Sequence, residues 1–375
     1  MKSVLFFIES LGGGGAEAAL TRLVENIDKS KYKVYVVSET DNEFNTERIR
    51  QNSTYHCFAS MNITGNKIKE IKNRLIFKFS VSAPMSLVYR VLIGGKYDIE
   101  VAFCEGYSTK LISHSPNKKS KKIAWVHTDF INHPWSVKAY SSAEEEKSSY
   151  EKFDVINCIS QTARDAFIKK YGLAEKTNVV YNVVDEKFIL NESMEEISLE
   201  NNGGLTLLAL GRLTEVKGFK RLLSIALRLK NEGYKFKLYI LGKGEQEEDL
   251  KRFIAENGLE GCAELSGFQS NPYKFMRMAD MVVCSSYAEG MSTVATEALV
   301  LNTPIITTDC SGMKEIFGGY DCGIICDNSE EALYQALKKV FDNPELLKTF
   351  SNNEKIRAKD FVLENQLRKI EEIFN

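Results

Sequence analysis

No run of about 18 consecutive apolar residues occurs in this sequence, so no segment has the length to cross a bilayer as a helix. The opening stretch MKSVLFFIESLGGGG is too short in its apolar part to be a signal peptide, and Glu9 ends it at once. The expectation is a cytoplasmic protein. Excess charge is also missing: 49 basic residues meet 51 acidic ones for a net charge of −2, which gives no nucleic-acid signature. Eight cysteines are present, but no two form a C-x-x-C pair. Most stand in or beside apolar strand-like runs, as free thiols do in a reducing compartment. Cys322 and Cys326 have no second pair to complete a zinc site, and no metal is expected. Internal repeats and low-complexity tracts are absent too, which excludes a solenoid.

What is present is a regular alternation. The 375 residues exceed one ordinary hydrophobic core, so two domains are expected. SVLFFI, YKVYVVS, YDIEVAF, KKIAWVH, DVINCIS and NVVYNVV read as strands in the first half. LTLLALG, FKLYILG, CAELSGF, MVVCSSY, PIITTD and CGIICD do so in the second. Near-continuous apolar strands separated by helical patterns mean parallel sheets covered on both faces. The fold class is therefore α/β, with two doubly wound, Rossmann-like parallel sheets. The first domain is placed at residues 1–185, a polar acidic linker at 186–203, and the second domain at 204–359. Residues 360–375 form a helix with Leu363, Leu367, Ile370 and Phe374 on one face, free to dock on the first domain. Ligands of such sheets bind outside the strands' carboxyl ends, so two facing domains would bind theirs in a cleft.

Four post-strand segments carry candidate chemistry. GGGGAEAAL, residues 12–20, includes Gly14 and Gly15 and opens a helix. Its glycines permit positive φ and close approach to a phosphate, although a plain tight turn or a dinucleotide fingerprint with Glu39 reads similarly. LLALGRLTEVKGF places Arg212 and Lys217 after a strand, where a rigid fork and a point charge suit a diphosphate. A lysine at a helix start opposes the macrodipole, so Lys217 should have an anion to meet. EGMSTVATEA holds Glu289 and Glu297 eight residues apart, with Met291, Ser292 and Thr293 at a helix start between them. The helical rise over that spacing is at most roughly 12 Å, comparable to the span from ribose to hexose across a diphosphate. One segment could thus hold a nucleotide-sugar along its length, while the plainer reading is a first-turn glutamate and a loop glutamate. IAWVHTDF sets His127 at a strand end facing the expected cleft, followed by Asp129, a base or a helix cap.

Together these motifs resemble the retaining GT-B glycosyltransferases of the family 4 type, over nearly the whole chain. Glu289 and Glu297 are similar to that family's E-x7-E motif, GRLTEVKG to its diphosphate-binding segment, GGGGAE to its N-terminal glycine loop, and YNVVD to its pre-linker motif, where glycine is commoner than Val183. The resemblance implies that Glu297 binds ribose hydroxyls, Glu289 the donor hexose, and Arg212 and Lys217 the diphosphate. It places Phe268 or its neighbours in SGFQSN beside the base, and His127 near the transferred sugar. It implies no cofactor and no metal, in keeping with the lack of a D-x-D after a strand. The donor is a nucleotide-sugar, taken as a UDP-sugar, and the acceptor a saccharide or lipid-linked saccharide of surface-polysaccharide assembly. A 2-epimerase of the same architecture, a catalytically silent sugar-nucleotide-binding subunit and a Rossmann oxidoreductase are the alternatives.

Residues 60–96 add a further signal. Lys67, Lys69, Lys72, Arg74, Lys78, Arg90 and Lys96 face one acid, Glu70, and interleave with Ile68, Ile71, Leu75, Phe77, Phe79, Leu87 and Val88. Lys118, Lys119, Lys121 and Lys122 extend the charge. A basic, apolar segment predicts peripheral contact with the anionic cytoplasmic face of a membrane; a solvated helix face is the plainer reading.

Overall fold

The computed structural model describes residues 1–375 except 13, 42, 61–66, 133 and 201–202. The chain divides into two units, Met1–Val183 with Glu364–Asn375, and Val184–Leu363. In the first, seven strands pair in parallel: β1 (Lys2–Ile8), β2 (Tyr32–Asp41), β3 (Thr54–Ser60), β4 (Ile99–Ala102), β5 (Lys121–Val126), β6 (Val155–Cys158) and β7 (Thr177–Val179). Their order is β3-β2-β1-β4-β5-β6-β7. In the second, β8 (Leu205–Leu210), β9 (Phe236–Leu241), β10 (Ala263–Gly267), β11 (Met281–Cys284), β12 (Ile305–Thr308) and β13 (Gly323–Cys326) pair in the order β10-β9-β8-β11-β12-β13. Strand order therefore reverses between β1 and β4 in one sheet and between β8 and β11 in the other. Helices cover both faces, so runs such as Val4 to Phe7 and Leu238 to Ile240 are almost fully buried.

Three elements differ from the sequence expectation. TYHCFAS forms the edge strand β3, although polar Thr54 and His56 break its apolar run; it pairs with β2 alone, and Tyr55 reaches across to the Ser38 hydroxyl at 2.7 Å. Of NVVYNVV, only Asn178 and Val179 belong to a strand, pairing with Asn157 and Cys158. The segment 186–203 holds the helix Glu186–Glu192, seated on the helix Thr293–Leu301 of its unit. Its acidic start is a cap: the Asp185 carboxylate accepts the Phe188 N–H at 2.9 Å. Two turns are too few to show a period, which is why this stretch reads as a linker. Residues 201–202 of the segment lie outside the described residues.

The helix Leu363–Phe374 packs on the first sheet through Ile370, Ile373 and Phe374. Phe374 meets Tyr32 edge-on at 5.5 Å, and Lys31 bonds Glu371 at 2.8 Å. Leu363 and Leu367 flank the buried face, which also takes in Gln366.

Glu354, on the helix Leu346–Arg357, is fully buried, and neither carboxyl oxygen has a hydrogen-bond partner among the described residues. Burial raises its pKa to about 10. Arg357, one turn on, gives its guanidinium to Asp360 and to the Glu315 and Ile316 carbonyls. Because the folded pKa lies above the unfolded one, folding takes up a proton at neutral pH, and stability falls as pH rises between those two values. Glu354→Met should stabilise the protein by about 2 kcal/mol at pH 7, with a gain that grows from pH 6 to pH 8. Denaturant melts at both pH values check this. A gain that does not change with pH would contradict it.

Candidate active site

In the second unit, the loops after β8 and β11 flank the strand-order reversal, where an open parallel sheet receives its ligand. After β8, the chain turns through Arg212 and a short 3₁₀ turn, Glu215–Lys217, into the helix Phe219–Asn231. Gly218 takes φ +66°, and a Cβ there would stand 2.1 Å from the Ser285 carbonyl oxygen. Only glycine lets the two loops come this close. They are then joined: the Tyr287 N–H donates to the Val216 carbonyl at 2.7 Å, and the Ser285 hydroxyl to the Lys217 carbonyl at 2.9 Å.

The anion that Lys217 requires is Glu289. Lys217 Nζ stands 2.6 Å from Glu289 Oε1, and the Ser286 hydroxyl donates to the same oxygen at 2.5 Å. Both charged side chains are mostly withdrawn from solvent, so this pair is stronger than a surface bridge. Arg212 is exposed, and its guanidinium bonds none of the described residues. Lys217, Ser286, Glu289 and Ser292 line a small pocket with Cys284 and Phe219.

Beyond Glu289 the chain enters the helix Thr293–Leu301. The Ser292 hydroxyl accepts the Ala295 N–H at 3.2 Å, so that side chain caps its own helix, and Met291 is buried beside it. Thr293 is the first helical residue. Glu297, a turn further, is buried, and the Tyr273 hydroxyl donates to it at 3.4 Å. Phe268 is exposed directly after the edge strand β10. Its loop is held by Asn271, whose amide donates to the Glu192 carbonyl and the Glu195 carboxylate, both at 2.9 Å.

The first unit repeats the pattern with acids. Glu9 follows β1 and Glu105 lies three residues past β4, on either side of its reversal. Burial raises both carboxyls to about 7. Glu105 Oε1 accepts the backbone N–H of His127 at 2.5 Å, and Glu9 Oε1 the backbone N–H of Ser108 at 3.3 Å. The His127 ring lies 5.2 Å from Phe103, and its buried Nε2 has no hydrogen-bond partner among the described residues. Burial pushes its pKa down to about 4, so the imidazole is neutral at pH 7. Asp129 has the geometry of a cap: its carboxylate accepts the Ile131 N–H, the Asn132 N–H and the Asn132 amide. Glu9 and Glu105 were not singled out in the sequence. Each ends an apolar run as any boundary glutamate does, and strand order is what brings them together.

The glycine loop departs from expectation. Gly14 caps the helix Gly15–Asn26 in an extended conformation, φ −84°, and neither it nor Gly15 takes a positive φ. Glu17 already sits in that helix's first turn, where it complements the dipole. Gly13 lies outside the described residues. Among the described residues, no group of three His, Cys, Asp or Glu is arranged to hold a metal ion. None of the helices described is long and apolar enough to cross a membrane.

Two doubly wound parallel-sheet units, with the final helix returned to the first, are the GT-B architecture of glycosyltransferases. The chain belongs to the family 4 type: residues 13–188 match the family described as Glycosyltransferase Family 4, and residues 191–357 match Glycosyl transferases group 1. It is 32% identical over 215 residues to the Campylobacter jejuni N-acetylgalactosamine-N,N'-diacetylbacillosaminyl-diphospho-undecaprenol 4-alpha-N-acetylgalactosaminyltransferase, covering 56% of this chain and 57% of that one. An uncharacterized glycosyltransferase of Methanocaldococcus jannaschii is 26% identical over 80% of this chain and 84% of its own. The chain thus spans little more than half of the first relative and most of the second. Among solved structures, Anabaena HepE in complex with UDP and glucose superposes with a TM-score of 0.75 at 17% identity over 99% of both chains, which shows the fold.

Proposed function

We propose that this protein transfers a hexose or N-acetylhexosamine from a UDP-sugar to a saccharide or lipid-linked saccharide acceptor in surface-polysaccharide assembly, with retained configuration and without a metal. The observation that carries this reading is the Lys217–Glu289 pair beside the exposed Arg212, at the reversal point of the second sheet. Lys217 and Arg212 offer two cations to a departing diphosphate, as preorganised charge does where a leaving group develops. A diphosphate that draws Lys217 away from Glu289 leaves that carboxylate for the hexose hydroxyls. The buried Glu297 takes the vicinal ribose hydroxyls, the N–H groups at Met291 to Thr293 face the phosphates, and Phe268 edges the base. In the first unit, His127 is a neutral imidazole suited to a sugar hydroxyl.

The relatives' names support the pathway. One carries an undecaprenol-linked acceptor in its name, and two from Erwinia amylovora are amylovoran biosynthesis glycosyltransferases. A thermal-shift panel of UDP-, GDP- and ADP-sugars tests the donor. A UDP-sugar should raise the melting temperature by mass action, and the hexose slowly hydrolysed from it should appear first with the donor's anomeric configuration. A panel in which only GDP- or ADP-sugars stabilise, or an inverted first product, would overturn the assignment.

The same reading includes peripheral membrane contact through residues 60–96, of which 61–66 lie outside the described residues. On the helix Lys67–Ser82, Ile68, Ile71, Leu75, Phe77 and Val81 are all more than half exposed. At 100° per residue, exposed Lys67, Arg74 and Lys78 fall between Ile68, Ile71 and Leu75 on one flank and Phe77 and Val81 on the other. Phe79 and Val88 are not part of this face; they turn into the core. Charge reversal at Lys67, Arg74 and Lys78 should release the protein from anionic vesicles, since each basic residue near such a surface contributes about 1 kcal/mol. Unchanged co-sedimentation would leave only a solvated face.

A further inference from the structure

Arg221 stands in the first turn of the helix Phe219–Asn231 and is 4% exposed. A cation there is unfavourable twice over, because it opposes the helix dipole and because its charge is buried. Among the described residues, no carboxylate lies within ion-pair distance of it; neutral oxygens hold it instead. Nε donates to the Ser285 carbonyl at 2.7 Å, Nη2 to the Ser286 carbonyl at 2.6 Å, and Nη1 to Asn328 Oδ1 at 2.9 Å. The guanidinium Cζ lies over the Tyr287 ring, 3.9 Å from its centre. Two successive carbonyls of one loop are thus fixed by a single planar fork, which the point charge of a lysine cannot reproduce.

That loop is the one that sets Glu289. The Ser286 hydroxyl bonds Glu289 Oε1, Ser285 bonds the Lys217 carbonyl, and Lys217 Nζ closes the ring on Glu289. We infer that Arg221 is a positioning residue for the donor hexose: it holds the Ser285–Ser286 backbone so that Ser286 and Lys217 keep the Glu289 carboxylate in place. The inference rests on the donor reading given above. The sequence hides this role, because an arginine early in an amphipathic helix reads as an exposed polar position.

Arg221→Lys tests it, with UDP for binding and, for turnover, whichever of UDP-glucose, UDP-galactose, UDP-N-acetylglucosamine or UDP-N-acetylgalactosamine the wild type hydrolyses fastest. Turnover should fall by about 10–100-fold while the UDP Kd changes by less than about threefold, because the lost contact acts on the hexose end. In a Glu289→Gln background, the same substitution should cost less than about threefold further, since both changes remove one function. Should Arg221→Lys not fold, Tyr287→Ala uncovers the guanidinium face without removing a carbonyl bond, and should show a smaller loss with the same non-additivity. Equal losses in both backgrounds, or UDP affinity falling in step with turnover, would overturn the positioning role. A wild-type protein that binds neither UDP nor any UDP-sugar would overturn the donor reading, and this inference with it.

Discussion

Arg212→Ala and Lys217→Ala should each lower kcat for the UDP-sugar by about 10²–10³, the cost of losing one preorganised charge at a developing anion. The two should differ in what else they disturb. Arg212 is exposed and bonds no described side chain, so its removal should leave the melting temperature unchanged. Lys217 holds Glu289, and its removal leaves a largely buried carboxylate with the Ser286 hydroxyl as its remaining strong partner. Lys217→Ala should therefore also lower the melting temperature and weaken the hexose contact. Both variants and the wild type are assayed in EDTA, because on the proposed reading the two protein cations take the place of an ion. Near-normal turnover of both variants would remove the diphosphate assignment. An absolute requirement for Mg²⁺ or Mn²⁺ would do the same for the metal-free account.

The second sheet was legible almost strand by strand, because its four central strands are short, buried, mostly apolar runs between helices and its edge strands β10 and β13, although only part-buried, still break the helical pattern. The first sheet was less so. β3 is an edge strand whose polar residues hide it, and β7 is cut short after Val179. In the site, the chemistry of single segments could be read, but contacts between segments could not. That Lys217 needed an anion followed from its place at a helix start; that the anion is Glu289, 72 positions on, required the adjacency of β8 and β11. Glu9, Glu105 and Arg221 went unread for the same reason. Each is ordinary in its local sequence, and each gains its environment from a strand or loop distant in the chain.

Glu289 and Glu297 should separate by ligand. On the proposed assignment the buried Glu297 holds the ribose, so Glu297→Ala should remove a contact made equally to UDP and to the full donor; KM should rise, and both ligands should bind more weakly. Glu289 lies before the helix, paired with Lys217, so Glu289→Ala should leave UDP affinity nearly intact while it weakens the UDP-sugar and depresses turnover. Each lost charge-assisted hydrogen bond is worth roughly 1.5–3 kcal/mol, well within the reach of calorimetry. The most direct test of a single nucleotide-sugar held along EGMSTVATEA is thus a two-by-two titration of the two variants against UDP and the UDP-sugar. The account predicts three weakened pairs and one spared, Glu289→Ala with UDP. Equal weakening of both ligands by both variants, or weakening by neither, would contradict it.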